Sequence, residues 1–359
     1  MNFLLIISCI FGFLQHKTPA EQAQQYAAEA QKLYAEAKYG AGIILLEKAQ
    51  KLDSINIDYQ CEIASGYMSV REYPNAESIL KRLQYKREVN DKVYQLLGRL
   101  YKLQGQQQKA EDFLSKGLKF FPNSGRLYLE MGALKYSQEK IPEAINYWKK
   151  GISTEPSSPS NYYWLAKHYA ETDEPIWAVL YGEMFMLLEQ DSYRSIEMSH
   201  LLFETYRTAF EVSDENPNGA KFISNQYSAL LDPLSFPARF QQTMLMARRI
   251  TEMGEADYEI FYAIADIRYD FIVYWHDQKL NETYPFTMFQ LMNESYELGF
   301  WDAYHSWALL RWNEKEFKDW QKNNKKLYEN FNLWLSTYSI NPNGKEFLFE
   351  PKTKHPTDY

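Results

Sequence analysis

From Ala23 onward, apolar and polar residues follow a helical period, and the pattern itself repeats. In frames starting at residues 23, 57, 91, 125 and 159, the eighth position reads Ala30, Ala64, Gly98, Gly132 and Ala166, and the twentieth reads Gly42, Ala76, Ala110, Ala144 and Ala178. Glycine and alanine make up about an eighth of the chain, so a small residue at every one of these positions has a physical cause. Where two antiparallel helices cross with their backbones close, only a hydrogen or a methyl fits at the contact. Large residues surround it at helical spacing: Tyr67, Tyr101 and Tyr169 at the eleventh position, Leu46, Leu80, Leu114 and Trp148 at the twenty-fourth. Pro122 and Pro156 stand where a second helix ends. The clearest copy, from Asp91 to Pro122, reads as two short amphipathic helices joined by a turn at Gly105.

Beyond Ser192 the small-residue register stops, because the next frame puts His200 and Val212 at the two sites. Helical patterning continues, with helices expected over 193–212, 220–231, 237–253, 255–278, 286–298, 302–312 and 315–338. No stretch alternates with period two between turn signals, so no sheet is expected. The reading is all-α: a helical-repeat solenoid of five units over 23–192, a divergent helical region over 193–340 that caps it, and a polar tail over 341–359 with one apolar patch at Phe347, Leu348 and Phe349.

The repeat residues resemble those of tetratricopeptide repeat (TPR) proteins, whose 34-residue unit carries W-x2-L-G-x2-Y, then A-x3-F, then P. Here stand Tyr94-x2-Leu97-Gly98-x2-Tyr101, Ala110-x3-Leu114 and Pro122, and again Tyr162-x2-Leu165-Ala166-x2-Tyr169 with Ala178. Tyrosine replaces the tryptophan, Lys135 stands where the fourth frame calls for tyrosine, and Gly182 occupies a large-residue site in the fifth. The resemblance implies a non-catalytic scaffold or adaptor that holds a protein or peptide in a concave groove, lined by the second, fifth, ninth and twelfth positions of each first helix. Carried over, the groove presents Gln31 and Tyr34, then Asp58, Cys61, Ser65 and Met68, then Lys92, Gln95, Arg99 and Lys102. Arg126 and Tyr136 follow, then Tyr163 and Lys167. That stripe is basic and aromatic toward its middle and far end, which suits an acidic or extended peptide. It lacks the lysine and asparagine set of repeats that clamp a terminal carboxylate.

Composition narrows the rest. The formal charge is −8 and the pI about 5.5, with no block of lysine or arginine, so nucleic acid is not an expected partner. Residues 3–14 (FLLIISCIFGFL) are too few to span a bilayer and suit the h-region of a secretory signal, with Thr18-Pro19-Ala20 offering a cleavage site after Ala20. A signal peptide over 1–20 makes the protein an exported one, periplasmic or extracellular, with no integral membrane segment after cleavage. A short membrane-embedded anchor is the other reading of that run. After a cut, Cys61 is the sole cysteine and no intrachain disulfide can form.

Candidate chemistry is sparse, and no cofactor is expected. Glu197-x2-His200 and Asp302-x2-His305 place a carboxylate and an imidazole on one helix face, and Glu183, Glu204, Asp266 and Asp270 stand as further carboxylates for a two-metal site. One of the two motifs has Asp for Glu, and six histidines in a chain this long meet such a pattern by accident, so a metal-dependent enzyme is a minor alternative. Trp301, Trp307, Trp312, Trp320 and Trp334 crowd the C-terminal region and raise glycan stacking as another alternative, with core packing the expected role.

Overall fold

The computed structural model describes residues 17–343, apart from 215, 230 and 250. The apolar run at 3–14 and the patch at 347–349 lie outside the described residues. The chain forms two compact units, Met1–Phe121 and Pro122–Tyr359.

The first unit holds three helical hairpins: α1 (Pro19–Ala35) with α2 (Tyr39–Leu52), α3 (Ile57–Ser69) with α4 (Tyr73–Leu83), and α5 (Asp91–Leu103) with α6 (Gln107–Phe120). Thr18 caps α1 through a reciprocal capping box with Glu21, and Pro19 opens the helix. A cut after Ala20 would therefore remove a cap along with the leader. The small residues sit where close crossing demands them. A Cβ built on Gly98 would lie 2.5 Å from the Leu114 side chain, and one on Gly42 would lie 2.4 Å from the Tyr34 ring.

The turns inside the hairpins share a backbone conformation that the residue types conceal. Ala37, Arg71 and Gly105 have φ of 58°, 63° and 72°, and Glu139 in the second unit has φ of 61°. All four lie 34 residues apart. The next N–H reaches back five residues in each case, Lys38 to Leu33, Glu72 to Tyr67, Gln106 to Tyr101 and Lys140 to Lys135, at 2.8 to 3.0 Å. This is a Schellman termination, which caps the carbonyls that a helix end leaves open.

The second unit opens with two further hairpins, α7 (Gly125–Ser137) with α8 (Ile141–Thr154) and α9 (Pro159–Ala170) with α10 (Pro175–Leu188). A Cβ on Gly132 would meet the Trp148 indole at 2.3 Å, so the same crossing recurs. Lys135, in place of the expected tyrosine, is buried with its ammonium 3.4 Å from Glu143. The helix α11 (Tyr193–Phe210) then starts 34 residues after α9 and packs on α9 and α10 as another first helix would. Gly182 explains its own departure from the motif: a Cβ there would lie 2.8 Å from Leu202 and 3.0 Å from Met198, so glycine lets α11 approach.

The remainder of this unit comprises α12 (Asn225–Ser228), α13 (Phe236–Arg248), α14 (Asp257–Asp277), α15 (Leu280–Thr283), α16 (Thr287–Glu297), α17 (Trp301–Leu309), α18 (Glu314–Asn323) and α19 (Lys325–Thr337). Two expectations fail here for identifiable reasons. The helix expected over 220–231 shrinks to a single turn, because the backbone of Lys221 and Phe222 bonds instead to Ala209, Ile176 and the Gln241 side chain. The helix expected over 315–338 breaks at Asn324, whose φ of −119° and ψ of 31° leave the helical region. Nor does the chain part at Ser192. Apart from its first and last residues, α10 is buried along its whole length, and one continuous core runs from Ala144 to Leu335.

A closed polar cluster sits inside that core. Arg268 of α14 donates to Glu183 Oε1 of α10 at 2.5 Å and to His305 Nδ1 of α17 at 2.7 Å, and Tyr304 donates its hydroxyl to Glu183 Oε2 at 2.7 Å. Since an arginine can only donate, His305 accepts at Nδ1 and carries its proton at Nε2, 3.1 Å from the Phe261 carbonyl. Tyr206, Trp301 and Tyr304 place their rings within 5.7 Å of the guanidinium carbon. Burial, and then the Arg268 charge, hold the His305 imidazole well below its usual pKa of 6.5. The unfolded chain therefore takes up a proton that the folded chain refuses, and stability falls as pH drops below about 6.5. Urea unfolding across that range should show this loss, and His305→Gln, which keeps an acceptor for Arg268, should flatten it. The difference between the two proteins isolates His305 from Asp266 and Asp270, whose carboxyls burial pushes upward and which act in the opposite sense.

Candidate functional site

The first helices of the hairpins carry the expected site residues, and each unit presents its own face. In the first unit Glu62 of α3 ties three helices together. Its Oε2 accepts from Gln31 of α1 at 3.0 Å and its Oε1 from Lys92 of α5 at 2.5 Å. Asn90, just before α5, donates to Asp58 at 3.3 Å. In the second unit Glu197 of α11 does for α9 what Glu62 does for α5. It accepts from Lys167 at 2.7 Å through Oε1 and from the Tyr163 hydroxyl at 2.7 Å through Oε2. Arg194 lies 5.1 Å from the Tyr163 ring centroid, donates to Ser160 at 3.1 Å and pairs with Glu189.

First helices a repeat apart are thus joined side chain to side chain, with the small-residue crossings inside each hairpin. In fold, these hairpins are similar to tetratricopeptide repeats. Solved structures similar to part of the chain include TTC0263, a thermophilic tetratricopeptide protein of Thermus thermophilus, at 17% identity and a TM-score of 0.43, covering 50% of this chain and 98% of that one. PilF of Pseudomonas aeruginosa matches at 17% identity and a TM-score of 0.40, covering 63% and 99%. YrrB, a tetratricopeptide protein with an unusual peptide-binding site, matches at 16% identity and a TM-score of 0.30, covering 49% and 90%. No family model and no curated protein matches the chain.

The expected lining residues of these hairpins divide into those that face outward and those that packing has claimed. Cys61 and Met68 of α3 are buried, so neither is open to a ligand. Tyr34 is wedged against Gly42 and Gly66 and donates to the Glu62 carbonyl at 3.1 Å; burial, then Glu62, raise its phenol pKa. Tyr136 lies between the rings of Trp148 and His168, and Tyr163 is only 7% exposed. Burial, then the bond to Glu197, push the Tyr163 phenol up. Ser65, Gln95, Lys102 and Arg126 are half-buried, the last three with partners of their own. Arg99 differs from all of these: it is exposed on α5 and has no bonding partner among the described residues.

The charge of the stripe is therefore not what its lysines suggest. Lys92 and Lys167 are already paired, and the bond to Glu197 raises the Lys167 pKa despite its burial. Sequence reasoning missed Glu62 and read Glu197 only as a possible metal ligand. Glu62 occupies a sixth position, outside the lining rule. Glu197 belongs to α11, whose start at Tyr193 keeps the 34-residue spacing after the small-residue signature has ended.

The other candidate groups are dispersed. Glu183 and His305 are consumed by Arg268, Glu197 by Tyr163 and Lys167, and His200 stacks on Trp312 with its Nε2 3.6 Å from Glu204. Among the described residues no group of three or more His, Cys, Asp or Glu side chains is placed to hold a metal ion, and no helix is long and apolar enough to cross a membrane. Trp301 and Trp307 are buried in the core, and Trp334 packs against Phe300 and Tyr338. Trp312 and Trp320 instead line a cavity of about 230 Å³.

Proposed function

We propose that the protein is a scaffold whose tetratricopeptide hairpins bind a segment of another protein on the first-helix face of residues 17–121, with Arg99 as the recognition charge. The exposed, unpartnered guanidinium of Arg99 carries this reading. Every other cation assigned to the lining has an internal partner, so a ligand carboxylate meets least competition at Arg99. The bonds through Glu62 hold α1, α3 and α5 before any ligand arrives, so binding orders little of the scaffold. The ligand proposed is an extended segment with an acidic side chain, and the apolar run at 3–14 supports a place for the protein outside the cytoplasm.

The test is crosslinking in intact cells followed by mass spectrometry, with wild-type protein and Arg99→Glu compared at equal abundance. The charge reversal should lower partner capture about tenfold, the size of a lost hydrogen bond to a charged group, with an unchanged far-ultraviolet circular dichroism spectrum. Equal capture by the two proteins would refute the assignment. The N-terminal residue of the captured protein, Glu21 or an earlier one, reports on cleavage of the leader in the same material.

A further inference from the structure

The cavity beside Trp312 belongs to neither the hairpin crossings nor the Arg268 cluster. Its walls come from α11, from the first turns of α14, and from α18 with the turn that precedes it. Several of its lining residues are aromatic: Tyr262 and Tyr258 are 56% and 63% exposed, and Trp312 and Trp320 are half-buried. In a folded domain such rings normally find cover. Behind Trp312, His200 stacks at 4.7 Å and Phe203 lies at 5.3 Å, and its indole N–H is spent on the Leu309 carbonyl at 3.0 Å. Trp320 is fixed edge-on by Tyr328 at 5.9 Å. Trp312 and Trp320 are therefore held in place, and Trp312 has a π face rather than a hydrogen-bonding edge to offer.

Three carboxylates line the same cavity, Asp257, Glu316 and Asp319. Two have a local explanation, since Asp257 and Glu316 sit in the first turns of α14 and α18, where a helix favours negative charge. Asp319 does not. It lies in the middle of α18, and among the described residues it has no hydrogen-bond or ion-pair partner. The opposing charges are Arg207, 3.8 Å from Asp257 and already bound to Glu204, and Lys315, 3.6 Å from Glu316 and largely exposed.

From this set we infer that the cavity is a binding site for an organic cation, the side chain of an arginine or lysine on a partner protein, whose charge meets Asp319 and whose aliphatic stem lies against Trp312, Trp320 and Tyr262. Aromatic faces attract cations through their quadrupole, and carboxylates at the rim select charge over mere apolarity. A neutral sugar would use the rings but would gain nothing from an unpartnered carboxylate beyond one hydrogen bond. The site is independent of the first-helix face and of Arg99.

The experiment is a titration of the full chain with N-acetyl-arginine methylamide, N-acetyl-lysine methylamide and a neutral trisaccharide, followed by tryptophan fluorescence. Either cationic probe should give a saturable change that Trp320→Phe largely removes. Asp319→Asn, at an exposed position, should weaken binding about tenfold, with an unaltered urea midpoint. Saturation by the trisaccharide with no response to either cation would overturn the proposal in favour of glycan binding. Cation binding that Asp319→Asn leaves unchanged, or no binding by any probe, would overturn it outright.

Discussion

Replacing Arg268 by methionine should destabilise the second unit by about 3–5 kcal/mol, the cost of leaving a buried charge without its partner. Glu183 is fully buried and would lose its cation while keeping the Tyr304 hydroxyl, and His305 Nδ1 would lose its donor. The rings of Tyr206, Trp301 and Tyr304 would also lose the cation they surround. Removing the charge on both sides, with Glu183→Met beside Arg268→Met, should recover most of the loss, because well-packed apolar groups often replace a buried ion pair at little cost. The measurement is urea unfolding followed by tryptophan fluorescence, which reports on this unit alone, since all 9 tryptophans lie beyond Phe121. A cost below about 1 kcal/mol would mean that the pair behaves as a solvated surface bridge.

The second large effect belongs to the crossing of α7 and α8. Trp148→Ala should cost about 3–5 kcal/mol, as expected for removing a buried tryptophan. The indole is 1% exposed, donates to the Leu129 carbonyl at 3.2 Å and packs against Tyr136 and Trp164. The informative part is its coupling to Gly132. In the native protein Gly132→Ala should destabilise, because the added methyl would fall 2.3 Å from the indole nitrogen. In the Trp148→Ala background that obstacle is gone, and the same substitution should stabilise by up to about 1 kcal/mol through helix propensity. A thermodynamic cycle on the four proteins reads the sign change directly. Additive effects would show that the glycine is not there for the tryptophan.

These two sites also mark what the sequence made visible. Gly132 and Trp148 are 16 residues apart, in one hairpin, and their relation, a small residue 16 before a large one, recurs in the first four frames, so repetition exposes a contact that one copy would hide. Glu183 and Arg268 are 85 residues apart and occur once. Reading residue types alone made Glu183 a possible metal ligand and drew attention to Asp266 and Asp270 on either side of Arg268, which passed unnoticed. The binding faces fall between these cases. Their helices were legible because small residues fix the crossings, but Lys92 and Lys167 looked free because their partners lie on another helix. Tyr136 and Tyr163 looked like ligand contacts, although their rings complete the packing of neighbouring hairpins.

The left-handed residue that ends α1, α3, α5 and α7 has a consequence for how these hairpins can vary. Only one of the four is glycine, and an alanine, an arginine and a glutamate accept the same strained backbone. Chemical identity is therefore permissive there, while spacing is not. One inserted residue would turn the following helix by about 100° and carry Gly42, Ala76, Ala110 or Ala144 away from its partner. The repeat keeps time by length, and its punctuation can be written in almost any letter.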